Sequence, residues 1–363
     1  MTRRRLTLIG LAALLAVTGY AMLNQSGTVR AATAEELAQP LILPGPKAER
    51  AKALVVVLAQ NSGTETTDFL VPLGILRASG AADVVSVSTE PGDVALMPAL
   101  TIRADTTLDV FDATHPQGAD LIIVPAMHDT KNPKTIAWLK AQHNNRAVIV
   151  SICEGAWLLA HAGLLEDRHA TTHWYALPRI ARKFPGTNWV RGSRYVVDGT
   201  IMTTTGVSAS IPVSLAIVEA LAGRKTAMTT ARTFGITDWG TAHDTASFAI
   251  TMGMKLTAAS NVAGFLGHEK IDIPVSDGAD EVALALFADA WSRTYRSKAR
   301  AVHRSGVVVS QHGVIFLTER AAAGDLTLKV PPNAAAAIDH ALTQINARYG
   351  FKTSEFVRVQ LEY

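Results

Sequence analysis

One cysteine, Cys153, occurs in 363 residues, and that scarcity excludes several readings at once. No intrachain disulfide can form, so an exported form would depend on its apolar core for stability. There is no C-x-x-C pair for zinc or thiol exchange, and His161 and His169 have no zinc-like spacing. The chain also lacks a glycine-rich loop followed by a phosphate-binding lysine, and a C-terminal helix-turn-helix with a basic recognition helix. Lys and Arg number 34 against 31 Asp and Glu, and a formal charge of +3 is too weak to argue for nucleic acid. The expected partner is a small molecule, with no nucleic acid, no metal and no cofactor.

What is present draws attention to the cysteine. The strand-like run Arg146–Cys153 (RAVIVSIC) gives way at Cys153 to a helix-like stretch, Glu154–His161 (EGAWLLAH). A sharp strand-to-helix turn lifts its apical side chain out of the sheet, and the first free N–H groups of the helix favour a thiolate or an oxyanion there. The alternative is a small, buried, inert residue at a strand end.

The N-terminus has a second distinct pattern. Met1–Arg5 (MTRRR) is basic, and Leu6–Leu23 is an uncharged stretch of eighteen residues, a length between that of a signal peptide and a membrane span. The basic cluster stays cytoplasmic, which sends the rest of the chain outward. Residues 1–27 read as an N-terminal anchor or signal sequence, with secretion after cleavage near Ala31, Ala32 or Ala34 as the alternative. Residues 28–51, with Leu43-Pro-Gly-Pro46, read as a linker.

Beyond it lie four apolar runs, Ala53–Ala59, Asp83–Thr89, Asp120–Pro125 and Ala147–Cys153, separated by segments with helical patterns. Continuous apolar runs between helices predict an α/β domain with a parallel sheet covered on both faces. Ligands in such sheets bind at the carboxyl ends of the strands, where Cys153, the Gly63 loop and the loop from Pro125 to His128 would meet. Residues 226–265 read as a helical connection. Residues 266–363 read as a partial α/β repeat of the first module, because Ile271–Trp291, Ala299–His303 and Gly306–Leu317 echo the strand, loop, helix, strand and hairpin order of residues 53–102. In that echo Ala283 stands where Asp68 would map, and no cysteine follows the helix expected over 333–349. The repeat is therefore expected to be catalytically empty, and it offers a surface for a homo-oligomer.

Ser151–Trp174 (SICEGAWLLAHAGLLEDRHATTHW) closely resembles the nucleophile elbow and downstream Thr-Thr-His segment of the ThiJ/PfpI superfamily, which has the class I glutamine amidotransferase-like fold. Gly63–Leu76 (GTETTDFLVPLGIL) is similar to that family's first loop and helix, in which an acidic residue four positions before a proline points at the cysteine. Here those residues are Asp68 and Pro72. Val197–Leu221 is similar to its closing hairpin, glycine turn and last helix. The resemblance covers about 52–225 and implies a flavodoxin-like sandwich with Cys153 as nucleophile, His173 as proton carrier and Asp68 as its acid partner. Glu154, Met127, His128, Glu65 and Gly206 are expected around the pocket, with backbone N–H groups of Glu154 and the Met127 loop forming the oxyanion site. Glu154 departs from the family, which often has a small or neutral residue there. Its carboxylate must turn away if the thiol is to react. The implied function is covalent cysteine chemistry of hydrolase, hydratase or glyoxalase type on a small electrophile. A ligand-binding or redox-sensing module of the same fold is the competing reading.

Overall fold

A computed structural model describes residues 29–47, 50–264 and 267–363. The expected anchor or signal sequence falls almost wholly on residues outside that set. Residues 29–47 differ from a free linker. Arg30 and Ala31 pair in parallel with Val190 and Arg191, Thr33 caps a short helix Ala34–Ala38, and the Lys47 N–H donates to Asp120 Oδ1 at 2.9 Å. Asp120 also takes Arg50 and the Leu54 N–H, so one buried carboxylate ties this segment to the first strand.

That strand, β1 (Ala53–Ala59), is buried at every position, as a central parallel strand with layers on both faces must be. With β2 (Ala82–Ser88), the short β5 (Thr106–Thr107), β6 (Leu121–Val124), β7 (Val148–Ser151), β8 (Tyr195–Asp198) and β9 (Ile201–Thr204) it forms a seven-stranded sheet in the order β8-β9-β7-β6-β1-β2-β5. All pairs are parallel except the β8–β9 hairpin at one edge. The fold is a flavodoxin-like α/β sandwich, and the four apolar runs read from the sequence are its four central strands.

Helix α1 (Thr66–Ser79) begins with Glu65, whose side chain accepts the Asp68 N–H, and ends at Gly80 in the left-handed region at φ 61°. Every residue from Thr66 to Leu76 is buried, so this helix is covered all round. Part of the cover is α6 (Glu281–Ser292), from the C-terminal region. A Cβ on Gly74 would lie 2.7 Å from both Glu281 Oε1 and Val282 Cγ2, so the glycine permits the close crossing.

The strand and helix order of the C-terminal region parallels that of the opening of the domain. Strand β10 (Glu269–Pro274) lies between β11 (Ser297–Val302) and β14 (Leu326–Thr327), all parallel, as β1 lies between β2 and β6. Asp280 caps α6 by accepting the N–H groups of Val282 and Ala283, as Glu65 caps α1. The hairpins β3–β4 (Asp93–Met97, Thr101–Arg103) and β12–β13 (Val307–Val309, Ile315–Leu317) join edge to edge through antiparallel β4 and β13, Ile102 opposite Phe316. One apolar core runs from Val55 and Phe69 through Phe287 and Trp291 to Leu361.

Among the described residues, Val207–Thr233 is long and apolar enough to cross a membrane by composition. Half of its most apolar stretch is buried, and its helix α4 (Ser210–Thr233) is broken at Gly223 (φ 81°, ψ 165°), features of a core helix. Two helices, α7 (Ala337–Tyr349) and α8 (Phe351–Gln360), follow the partial repeat. They bring the last residues back to the main sheet, where the Ser208 hydroxyl donates to the Glu362 carbonyl at 2.7 Å.

Candidate functional site

Ile152 ends the strand in extended geometry. Cys153 then turns to φ 55°, and α3 (Ala156–His161) follows after one tight turn. A left-handed conformation at a non-glycine residue costs about 1–3 kcal/mol and persists only where the surroundings over-determine it. Here the Cys153 N–H donates to Thr205 O at 3.0 Å, and Thr172 Oγ1 donates to the Cys153 carbonyl at 2.7 Å. Gly155 is required for close approach, since a Cβ there would lie 2.2 Å from the Val124 carbonyl oxygen.

The thiol faces a cavity of about 310 Å³ at the carboxyl ends of the strands. Glu65, Met127, His128, Glu154 and His173 also line it, so the structure brings these sequence-predicted residues together, with Arg293 added from the C-terminal region. Asp68 lies fully buried behind the wall, with Oδ2 accepting the Ala126 N–H at 3.1 Å and Oδ1 without a partner. Gly206 is behind His173, its N–H on Glu362 Oε2 at 2.7 Å. Among the described residues, no hydrogen bond joins Cys153 Sγ to Asp68 or His173. The bridge between Thr64 and Met127 uses the N–H groups of Glu65 and His128, so the Met127 N–H is not one of its donors.

Charge at the site is strongly constrained. Glu65 Oε2 accepts the Asp68 N–H (2.6 Å) and the Thr67 hydroxyl (2.9 Å), while Oε1 takes Arg293 at 2.6 Å. Arg293 also holds Asp289 through Nε at 2.8 Å. Two carboxyls thus share one guanidinium. Burial, then the Glu65 charge, pushes Asp68 well above the usual carboxylate range, and burial does the same to Asp289. The Cys153 thiol is pushed up by burial and by the neighbouring acids Asp68, Glu154, Glu65 and Glu362. Both groups are thus biased towards their protonated forms. Glu154 accepts from Trp157 Nε1 at 3.0 Å and Arg179 at 3.3 Å, yet it still lines the cavity and raises the thiol.

His173 is placed differently from a free proton carrier. Its Nδ1 accepts the Tyr175 N–H at 3.2 Å and its Nε2 is 3.1 Å from the Gln360 carbonyl, which puts the proton on Nε2 and occupies both nitrogens. Glu362 is buried beside it. Its Oε1 accepts the Trp174 N–H at 2.9 Å and lies 4.0 Å from His173 Nε2, and its Oε2 lies 3.3 Å from His243 Nε2. Burial works to raise this carboxyl, but His173, His243 and the Trp174 N–H outweigh it and hold its pKa at about 2. Arg293, Gln360, Glu362 and His243 have no motif in the sequence.

The described residues contain no group of three or more His, Cys, Asp or Glu arranged to hold a metal ion.

The α/β sandwich with a cysteine elbow at its strand ends defines the class. Residues 51–220 match the DJ-1/PfpI family, which places this domain in the ThiJ/PfpI superfamily. It is 32% identical over 148 residues to the isonitrile hydratase of Pseudomonas putida, covering 40% of this chain and 59% of that protein. It is 26% identical over 151 residues to the HTH-type transcriptional regulator CdhR of Pseudomonas aeruginosa, covering 41% and 43%. The chain thus spans about half the length of these curated relatives. Among solved structures it is similar to Drosophila melanogaster DJ-1beta, at a TM-score of 0.46 and 20% identity, over 52% of this chain and 100% of that one.

Proposed function

We propose that this protein is a cysteine-dependent enzyme that adds its thiol to the electrophilic carbon of a small molecule, as a hydratase or hydrolase, with the domain held outside the cytoplasm by the N-terminal segment. The observation that carries the reading is a neutral, buried acid and thiol pair at a strained elbow. Asp68 Oδ1 is an acid oxygen without a partner, charge-coupled to Cys153.

Burial disfavours the charged form of each group, so the favoured route leaves no charge behind. Asp68 gives its proton to the substrate heteroatom as sulfur bonds to carbon, and the resulting carboxylate takes the thiol proton. The net step is addition of S–H across the multiple bond. In an isonitrile the terminal carbon takes both the sulfur and the Asp68 proton instead, and the adduct is a thioformimidate. Water then adds at the same carbon, the C–S bond breaks, sulfur regains a proton, and a formamide leaves. The N–H groups of Glu154 and Met127 are the proposed donors to developing negative charge. His173, clamped by Gln360 and Tyr175, shapes the wall.

The test is turnover and intact-mass trapping with small isonitriles and aldehydes. Cys153→Ser should abolish adduct and turnover with little change in thermal stability, and Asp68→Asn should lower turnover by about 10²–10⁴-fold. Full turnover in Cys153→Ser would overturn cysteine catalysis, and absence of turnover in the parent would move the protein to the competing class, a ligand-binding or sensing module. The raised thiol favours the ligand-binding form of that second reading, because a reactive sensor or nucleophile ordinarily has thiolate character.

We also infer that 266–363 descends from the opening of the first module. The equivalent strand, helix and hairpin order supports this reading.

A further inference from the structure

Next to the cysteine cavity lies a second one, of about 380 Å³, and the two share Glu154, His173 and Arg293 as a common boundary. Its composition is unlike the rest of the chain. Aromatic residues make up only 6% of the sequence, yet Trp174, Tyr175, Tyr295 and Phe356 all line this cavity. Tyr295 and Phe356 meet edge to face at 5.3 Å, and Trp174 and Tyr175 at 5.7 Å. Trp174 is fixed by its Nε1 donating to the Val359 carbonyl at 3.1 Å. Tyr295 sits at φ 58° with 45% of its surface exposed, only two residues beyond Arg293. The opposite wall is α5 (Met252–Ala263), which contributes Ala258, Ala259 and Val262.

Exposed aromatic surface facing an open cavity is costly unless something apolar fills it. A dry cavity of about 150 Å³ already holds benzene, so this one is large enough for a benzyl-sized body. We propose that it is a specificity vestibule, which binds the aryl or branched-alkyl body of the substrate while the electrophilic carbon passes the shared boundary to Cys153. This deepens the reading of the site as a cysteine enzyme and rests on it for the identity of the reacting end. Tyr295, Phe356 and the α5 wall come from outside the family domain, whereas Trp174 and Tyr175 belong to it. The vestibule is accordingly formed where this chain's C-terminal half packs on that domain.

Two measurements separate the vestibule from the nucleophile. In the first, unreactive N-benzylacetamide and N-methylacetamide are titrated by calorimetry into the full chain carrying Cys153→Ser. The benzyl compound should bind on the order of 10- to 100-fold more tightly. Ala259→Trp, at an exposed helix position, and Tyr295→Ala should each remove most of that difference. In the second, N-benzyl iodoacetamide should alkylate Cys153 of the unmodified chain on the order of 10- to 100-fold faster than iodoacetamide, and either substitution should bring the ratio towards one. Equal binding of the two amides overturns the vestibule even where Cys153 is alkylated. A retained benzyl preference in binding, with no alkylation by either reagent, supports the vestibule and overturns only the nucleophile.

Discussion

Asp68 and Glu362 have pKa values moved in opposite directions within one site, and their effects on stability have opposite signs. Asp68 keeps its proton in the fold, whereas the unfolded chain releases it above its ordinary pKa of 3.8. That carboxyl therefore costs stability as pH rises from there towards its folded value. Asp68→Asn should lose turnover yet melt at the same or higher temperature at neutral pH, a comparison that thermal unfolding at several pH values would settle. A mutant that melts lower at neutral pH than at acid pH, relative to the parent, would count against a protonated Asp68. Glu362 is held at about 2 against an ordinary 4.5, so its contribution is complete above 4.5 and is lost as pH falls towards 2. A shift of that size corresponds to about 3 kcal/mol. Glu362→Gln should flatten the acid limb of the stability profile and leave unpaired partners at Gly206 and Trp174. An unchanged acid limb would show that the carboxylate is not ionised there.

At the scale of elements, local pattern and long-range packing were legible to different degrees. The four apolar runs identify the central strands because parallel strands covered on both faces must be apolar throughout. The register of Asp68 with Pro72, and of Cys153 with the strand end, could be read because each is set by its own segment. Arg293, Glu362 and His243 could not. Arg293 reaches the cavity through the packing of α6 on α1, Glu362 comes to lie behind it beside His173 through the return of the chain after α8, and His243 joins them from the segment between α4 and α5; none of these contacts leaves a periodic trace. The segment over 29–47 was misread as free linker for a related reason: Asp120, 73 residues beyond Lys47, holds it down. Gly74 tests this coupling between elements. Gly74→Val should drive α1 and α6 apart, destabilise the chain by about 1–3 kcal/mol and slow alkylation of Cys153 by displacing Arg293 from Glu65. Destabilisation with unaltered alkylation would show that α6 supports the fold without tuning the site.

Across the whole molecule, the DJ-1/PfpI domain supplies the elbow and its acid, and the C-terminal half adds an arginine, a buried glutamate and half of an aromatic wall. We propose, from the basic cluster Arg3–Arg5 before Leu6–Leu23, that both halves lie outside the cytoplasm. An epitope inserted at the exposed turn between Ala323 and Gly324 should be digested by protease added to intact spheroplasts. Digestion only after lysis would return the protein to the cytoplasm.

The central claim is that the nucleophile rests as a neutral thiol beside a neutral acid. Because Cys153 is the only cysteine, ultraviolet thiolate absorbance titrated from acid to alkaline pH, with Cys153→Ser as the blank, reports that group alone. The account predicts that thiolate appears only above the ordinary cysteine value of 9.0, and at lower pH in Asp68→Asn than in the parent. Thiolate already present at neutral pH in the parent protein would contradict it.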